Sequence, residues 1–193
     1  MINFRKYLKK SLFLNVFFLL LIFHFNFLSN SYTYGQETDE YLVKSVFILK
    51  IPVFIEWPEN SSLVNASNDF VIDIIGGDPF KGKLQSIIKS RNIKIKNRNI
   101  VVNNISKVEE ADGADMIFIS NTEKYNLPKI IKYFQNKPIL TLSDSKAFLE
   151  KGVMINLYIE GSTLKFDVNL KQAIESKIYI SSKLLVNANK VIK

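Results

Sequence analysis

The sequence predicts an α/β fold: a three-layer α/β/α domain with a mostly parallel sheet and an antiparallel C-terminal hairpin. Up to residue 142, short runs rich in β-branched residues alternate with segments of helical periodicity, which is the pattern of parallel strands joined by crossover helices. Beyond that point two apolar runs, 153–160 and 163–168, are separated only by Gly161-Ser162. This spacing predicts a tight hairpin, because glycine adopts a positive φ without steric cost.

Residues 1–35 precede this domain and have the three parts of a secretory signal peptide. Four basic residues lie within the first ten positions, an apolar run covers 12–28, and a short polar segment follows. Cleavage after Gly35 would leave small side chains at that position and at Thr33, two residues before it. The alternative is a retained anchor, because a run of about 17 residues is close to the shortest membrane-spanning helix. We expect export and cleavage, which leaves a single α/β domain over residues 36–193.

The domain is predicted to begin with a helix. Residues 39–56 carry apolar side chains at helical spacing, and Pro52 is expected to kink or end that helix because it lacks a backbone donor. Trp57-Pro58 then turns the chain into the polar loop 59–68. The β-branched run 70–75 predicts the first strand of the sheet.

The remaining elements are predicted from the same kinds of signal. Gly76-Gly77 ends the first strand, and Asp78-Pro79 supplies a typical cap and first residue for a helix that reaches about Ser90. Further strands are predicted at 93–95, 100–102, 116–119 and 138–142, and further helices at 106–111, 122–135, 145–150 and 171–188.

The composition excludes several classes of function. The chain has no cysteine, so disulfides, cysteine metal sites and thiol nucleophiles are ruled out. Its one histidine, His24, lies in the predicted leader, so the exported domain lacks the usual general base and zinc ligand. Four of the 26 basic residues also lie in the leader, which leaves 22 against 18 acidic residues, a net charge of +4 spread along the sequence. No nucleic-acid partner, cofactor or metal ion is therefore predicted.

Three motifs invite a chemical interpretation but lack residues that the chemistry needs. Gly76-Gly77-Asp78 resembles a phosphate-binding turn before a helix, yet it lacks the dinucleotide fingerprint and the P-loop lysine, and its aspartate repels phosphate. The segment Asp112-Gly-Ala-Asp115 is more typical of a solvated turn than of a metal site. Ser143-Asp144-Ser145 has no histidine to activate a hydroxyl. We predict no catalytic residues, although a lysine-activated serine stays formally open.

Six segments in order resemble the YfiR-like family. They are the block 41–58 with its Phe-x-Glu-Trp-Pro ending, the turn 74–80 with Gly-Gly-Asp-Pro-Phe, the strands 115–120 and 138–144, the hairpin 152–169 with Gly-Val-Met-Ile-Asn, and the closing segment 180–185. Together they extend over about residues 40–186. No single motif is diagnostic, and it is their order along nearly the whole domain that carries the resemblance.

The resemblance implies a periplasmic regulator without enzymatic activity. Its best-known member type restrains a membrane-bound diguanylate cyclase by binding the periplasmic part of that enzyme, and so controls cyclic-di-GMP signalling and biofilm formation. Other members accompany sensor kinases. The resemblance implies these partner classes here, contact with the membrane only through the partner, and compatibility with a homodimer. Some relatives carry cysteines, but this chain has none, so redox sensing through disulfides is excluded.

Trp57, Glu160 and Phe166 are predicted to form the partner surface, because they lie in the family-like motifs at a helix end and on the expected edge hairpin. Tryptophan is enriched at binding hot spots, although packing into the core is the alternative for Trp57. A second hypothesis is a small-ligand sensing domain, since a parallel sheet offers a crevice beyond its strand ends, here near 76–78 and 120–122. A hydrolase is a third and weaker alternative.

Overall fold

The computed structural model describes residues 40–58, 69–111 and 113–193. The predicted signal peptide, its cleavage after Gly35, the loop 59–68 and Asp112 lie outside these residues.

The first helix, α1, covers residues 40–50 and ends sooner than predicted. A 3-10 turn, Ile51–Phe54, follows it, and a short strand, β1 (Ile55–Glu56), comes directly afterwards. Pro52 accounts for the early end, because proline has no N–H to donate to the preceding turn and its ring clashes with the carbonyl there. The expected break at Pro52 is therefore confirmed, and residues 53–56 do not continue the helix although their apolar spacing is helical.

The main sheet is mostly parallel, as predicted. In chain order its strands are β2 (Phe70–Ile75), β3 (Ile100–Ile105), β4 (Met116–Ile119), β5 (Leu140–Ser143), β6 (Ile155–Glu160), β7 (Thr163–Asn169) and β9 (Lys190–Ile192). Between β7 and β9 the chain forms β8 (Tyr179–Ile180), which pairs antiparallel with β1 in a separate two-stranded sheet. The order in space is β3-β2-β4-β5-β6-β7-β9, and neighbouring strands are parallel except in the predicted antiparallel hairpin of β6 and β7. The strand β9, not the hairpin, forms the edge.

Helices cover both faces of this sheet, which confirms the three-layer α/β/α architecture. They are α1 and α2 (Lys83–Arg91), α3 (Leu127–Phe134), α4 (Lys146–Leu149), α5 (Leu170–Glu175) and α6 (Ser182–Leu185). Side chains alternate along a strand, so β4 sends Met116 and Phe118 to one face and Ile117 and Ile119 to the other. The first face packs against α1, α2, α5 and α6, and the second packs against α3 and α4.

Several element boundaries differ from the predictions for local reasons. The helix expected from Asp78 begins at Lys83, because Lys81 and Gly82 have left-handed backbone angles (φ 51° and 77°) that a helix excludes. The helix expected over 171–188 is divided into α5 and α6 by β8, and Lys177 has a φ of 58° at the division. The strand expected at 93–95 was wrong, because Ile95 makes only an isolated bridge to Arg98. The helix expected from Thr122 begins at Leu127, after a 3-10 turn.

Candidate functional site

Two of the three predicted partner residues lie at opposite ends of the sheet. Trp57 stacks edge-on against Phe70, the first residue of β2, with ring centroids 5.8 Å apart. Glu160 is exposed and is the last residue of β6. Because β2, β4, β5 and β6 run parallel, the start of β2 and the end of β6 lie at opposite ends of the strands. Trp57 and Glu160 therefore do not belong to one contact patch.

The third predicted residue, Phe166, belongs to the core. Its side chain is only 6% exposed, and its ring lies 5.1 Å from the ring of Phe47 on α1. Such a side chain supports the hairpin from beneath but offers little surface to a partner. Substituting it by alanine would leave a cavity and reduce stability, so a loss of binding in that variant would not identify an interface.

The crevice predicted for a small ligand is filled by the chain itself. Thr122 Oγ1 accepts a hydrogen bond from the backbone N–H of Gly77 at 2.9 Å. A Cβ added at Gly76 would lie 2.5 Å from Thr122 Oγ1 and 2.8 Å from Glu123 Cγ, so these side chains pack directly onto the glycine backbone. The glycine pair therefore serves close packing at the point where the strand order changes direction. An open cleft of about 560 Å³ lies beside it, between Ile75 and Ile130 of α3.

A buried ion pair lies at the amino-terminal ends of the parallel strands. Arg98 Nη2 lies 3.1 Å from Asp115 Oδ2, and the two side chains are 4% and 0% exposed. The same carboxylate oxygen accepts the backbone N–H of Val71 at 2.7 Å, and Arg98 also donates to the carbonyl of Asp69. The guanidinium further lies over the ring of Phe70, 5.4 Å from its centroid. Asp115 is therefore committed to joining three segments and is not available as a metal ligand.

A second buried ion pair joins α1 to the carboxyl-terminal end of β5. Asp144 Oδ2 accepts hydrogen bonds from Tyr41 Oη at 2.7 Å and from Lys44 Nζ at 3.0 Å. The neighbouring Ser143 is fully buried and donates to the carbonyl of Ile119 at 2.9 Å. The side chains of Ser143 and Asp144 are thus occupied by structural bonds.

Asp73 is a buried acid in the middle of β2. Its Oδ1 accepts a hydrogen bond from Asn103 Nδ2 on the adjacent strand at 2.9 Å. Burial raises the pKa of the Asp73 carboxyl above its ordinary value, the Asn103 amide opposes that rise, and the charge of Glu110 adds to it. The ionised form is consequently an unfavourable feature of the folded state at neutral pH.

We expect Asp73→Asn to stabilise the protein at pH 7 by roughly 1 kcal/mol. A carboxyl whose pKa is raised by folding costs nothing below its unfolded pKa, and its cost grows as the pH rises through the folded pKa. The gain should therefore be present at pH 7 and vanish in acid, as urea denaturation at several pH values would measure. Asp69→Asn, at an exposed acid just before the same strand, is the control. Equal gains at all pH values would contradict this account.

An exposed apolar surface between the 3-10 turn and α6 had no signal in the sequence. Val53 and Val186 are 79% and 84% exposed, although large aliphatic side chains are usually buried. A groove of about 510 Å³ is lined by Phe54, which follows Val53 in the chain, and by Ser182, Lys183, Val186 and Asn187. Its two walls are joined by a hydrogen bond from Ser181 N to the Phe54 carbonyl at 2.9 Å. We call Val53, Val186 and these lining residues the turn–α6 surface.

The turn–α6 surface continues onto the small sheet of β1 and β8. Tyr179, which is exposed, pairs with Glu56 there, and Trp57 is the next residue of the chain. Lys96 Nζ lies 4.7 Å from the Trp57 ring centroid. Trp57 is therefore half-buried at the border of this surface, which combines the two interpretations given to it from the sequence. No sequence motif marked Val53 or Val186, because their exposure to solvent results only from the folded arrangement.

Other features of the described residues set limits on the chemistry. Within 40–58, 69–111 and 113–193, no group of three or more histidine, cysteine or acidic side chains is placed to hold a metal ion. In the same ranges, no helix has both the length and the apolar character that crossing a membrane requires.

Comparison with known proteins gives one family and only distant similarity to solved structures. A family model described as YfiR/HmsC-like matches residues 41–189. Among solved structures, the ABC domain in complex with L-Trp from Streptococcus pneumonia is 17% identical with a TM-score of 0.48, and 64% of this chain and 55% of that chain are covered. A conserved domain protein from Vibrio cholerae O1 biovar El Tor is 14% identical with a TM-score of 0.44, over 63% and 54% of the two chains. This chain thus spans about half the length of either structure. None of the curated proteins matches it significantly.

Proposed function

Because the chain belongs to the YfiR/HmsC-like family, we propose that it is a non-enzymatic periplasmic regulator that binds and represses an inner-membrane signalling protein. The partner is the periplasmic part of a diguanylate cyclase, and a sensor kinase is the second partner class. The match of the family over residues 41–189, nearly the whole described domain, is the observation that carries this proposal. The predicted leader delivers the chain to the periplasm.

The regulator acts by preferring one state of its partner. A bound protein shifts a two-state equilibrium only by the difference between its affinities for the two states. Binding more tightly to the inactive form of a cyclase therefore lowers the output without any chemistry in the regulator. The absence of histidine and cysteine from residues 36–193 and the structural commitment of Ser143 and Asp144 agree with such a role.

The turn–α6 surface is the proposed contact with the partner. Its exposed valines supply apolar area, and Lys183 within the groove supplies positive charge. An apolar segment flanked by acidic residues, in the periplasmic part of the membrane protein, complements both features. Trp57 borders this contact, and Phe166 keeps the hairpin in place from the core.

Glu160 is proposed as a second, weaker contact at the other end of the sheet. Charge reversal by Glu160→Lys should weaken partner binding by about tenfold, because an exposed charge at an interface contributes on the order of 1 kcal/mol. The melting temperature should not change, since the side chain is exposed. Surface plasmon resonance with the partner's periplasmic part measures the affinity. Glu175→Lys, an exposed acid on α5, is the matched control, and equal affinity of wild type and Glu160→Lys would remove Glu160 from the interface.

Small-ligand sensing is retained as the second candidate function because the cleft beside Ile75 lies at the carboxyl ends of parallel strands, where such sheets bind ligands. Thermal stabilisation of the purified protein by a metabolite would support it. If no compound of a broad metabolite panel stabilises the protein, ligand sensing is rejected and the regulatory role remains as the proposed function.

A further inference from the structure

The positive charge of the domain is concentrated in one segment of the chain. Residues 79–108 contain 8 of the 22 basic residues of 36–193 and none of the 18 acidic ones. The remainder of 36–193 holds 14 basic and 18 acidic residues, a net charge of −4. The segment includes α2, the edge strand β3 and the connection between them. The expectation that the excess charge is spread along the sequence was therefore wrong.

Three of these cations form an exposed group at the end of α2. Lys89 and Arg91 lie in the last turn of the helix, Lys94 follows in the connection to β3, and all three residues are exposed. Within the described residues, none of the three takes part in an ion pair. The dipole of a helix favours cations in its last turn, which accounts for Lys89 and Arg91 but not for Lys94. We call these three residues the α2-end surface.

Buried neighbours fix the connection that carries Lys94. Ile95 is buried and exchanges two backbone hydrogen bonds with Arg98, at 3.1 and 2.9 Å, and Arg98 is held by the buried ion pair described above. Lys96 and Asn97 between them have left-handed backbone angles (φ 49° and 64°), as a tight two-residue turn requires. Because alternate residues of an extended segment point to opposite sides, the burial of Ile95 directs Lys94 and Lys96 into solvent.

Lys96 connects the α2-end surface to the border of the turn–α6 surface. Its Nζ donates to the Ile55 carbonyl at 2.9 Å and lies over the Trp57 ring. The charge of Glu56 also acts on Lys96, so this lysine is not counted in the α2-end surface. A body that binds the α2-end surface therefore lies beside a partner bound at the turn–α6 surface.

The composition of the α2-end surface is unlike that of a protein interface. Within 81–98, a stretch that the structure describes completely, no large apolar side chain is exposed. Specific protein interfaces have apolar or aromatic anchors and few lysines at their centre. Clusters of lysine and arginine without such anchors are attracted instead to the anionic headgroups of a membrane, whose lateral motion adapts to the spacing of the cations.

We propose that the α2-end surface docks directly onto a bilayer that contains anionic phospholipid. The inference goes beyond the proposed function and differs from the expectation that the membrane is contacted only through the partner. A regulator held at the membrane surface meets an inner-membrane partner at a higher local concentration. Lipid alone is the probe in the test, so a negative result would leave the proposed binding of a protein partner untouched.

Sedimentation with sucrose-loaded vesicles tests this proposal on the chain over residues 36–193. The chain should bind vesicles made of equal parts of phosphatidylglycerol and phosphatidylcholine at low ionic strength, and added salt should weaken the binding because it screens exposed charges. Vesicles of phosphatidylcholine alone should not bind it. Lys89→Gln, Arg91→Gln and Lys94→Gln together should weaken the binding about a hundredfold, since each basic residue near an anionic surface contributes roughly fivefold.

Lys124→Gln, Lys132→Gln and Lys171→Gln together form the matched control. This variant loses the same charge at three exposed lysines, which lie before α3, in α3 and in α5. Its binding should stay within about threefold of wild type. Both variants should keep the circular dichroism of wild type, because all six substituted residues are exposed.

Four results would overturn the proposal. Equal weakening in both triple variants would make net charge responsible instead of the α2-end surface. Equal binding to vesicles without phosphatidylglycerol, or no binding to either kind of vesicle, would exclude an electrostatic contact with lipid. Tighter association with a DNA duplex than with the anionic vesicles would identify a nucleic-acid surface. Unchanged vesicle binding in the α2-end variant, with loss of binding to the periplasmic part of the partner, would assign the surface to a protein contact.

Discussion

Replacing Arg98 by methionine should reduce the free energy of unfolding by about 3–5 kcal/mol. The change removes the cation from a pair in which both side chains are almost fully buried, and it leaves the Asp115 carboxylate without its counter-charge. It also ends the donation from Arg98 to the Asp69 carbonyl at the start of β2. Urea denaturation followed by circular dichroism would measure the loss. This is the largest stability effect that we expect from a polar substitution in the domain.

A second variant separates the loss of a counter-charge from a loss of packing. In Arg98→Met combined with Asp115→Asn, the neutral amide still accepts the Val71 N–H, so at least half of the stability should return. Burial raises the pKa of Asp115, so the single variant should also lose less stability in mild acid, where the carboxyl takes up a proton. Arg91→Met, at an exposed cation in α2, should change stability by no more than about 0.5 kcal/mol. A double variant as unstable as the single one would contradict the explanation.

Introducing glutamate at both Val53 and Val186 should weaken partner binding by about a hundredfold or more. The two side chains are exposed, so the substitutions should leave the melting temperature nearly unchanged. They would remove apolar contact area and place negative charge against the acidic segment that we propose as the occupant of the groove. The affinity of the purified periplasmic part of the partner, measured by isothermal titration calorimetry, is the direct readout.

Tyr125→Glu is the control for this double variant. Tyr125 is also exposed and apolar, but it lies before α3 and away from the turn–α6 surface. Its substitution adds one negative charge, half of what the double variant adds, and should leave the affinity within about twofold of wild type. Equal affinities for the double variant and Tyr125→Glu would show that the partner binds elsewhere on the domain.

Most of the architecture could be predicted because it follows from short-range patterns. The β-branched run 70–75 and the apolar run 116–119 became β2 and β4 at the predicted residues, and Gly161-Ser162 gave the hairpin of β6 and β7. Each of these signals is local and has one dominant physical cause. The early end of α1 followed similarly from Pro52, although its position at Lys50 did not.

The tail could not be predicted because its structure depends on distant pairing. Residues 171–188 have helical periodicity, yet β8 forms in the middle of them because Ile180 pairs with Ile55 in β1. The strand β9 likewise exists through pairing with β7. Such partners are invisible to a local window of sequence, and tertiary contacts override local preference.

The candidate binding residues also depend on contacts between distant parts of the chain, which the sequence does not show. Phe166 was placed on a binding surface from its motif alone, but contact with Phe47, over a hundred positions earlier in the chain, makes it a core residue. Val53 and Val186 had no sequence signal, because ordinary apolar residues acquire meaning only when the fold leaves them exposed.

The most direct test of the regulatory proposal is affinity capture from solubilised envelopes with the tagged chain Gln36–Lys193, followed by mass spectrometry. The proposal predicts specific recovery of a membrane diguanylate cyclase or sensor kinase, and loss of that protein when the bait carries glutamate at Val53 and Val186. Failure to recover any membrane signalling protein under gentle cross-linking would contradict the proposal and would move small-ligand sensing ahead of it.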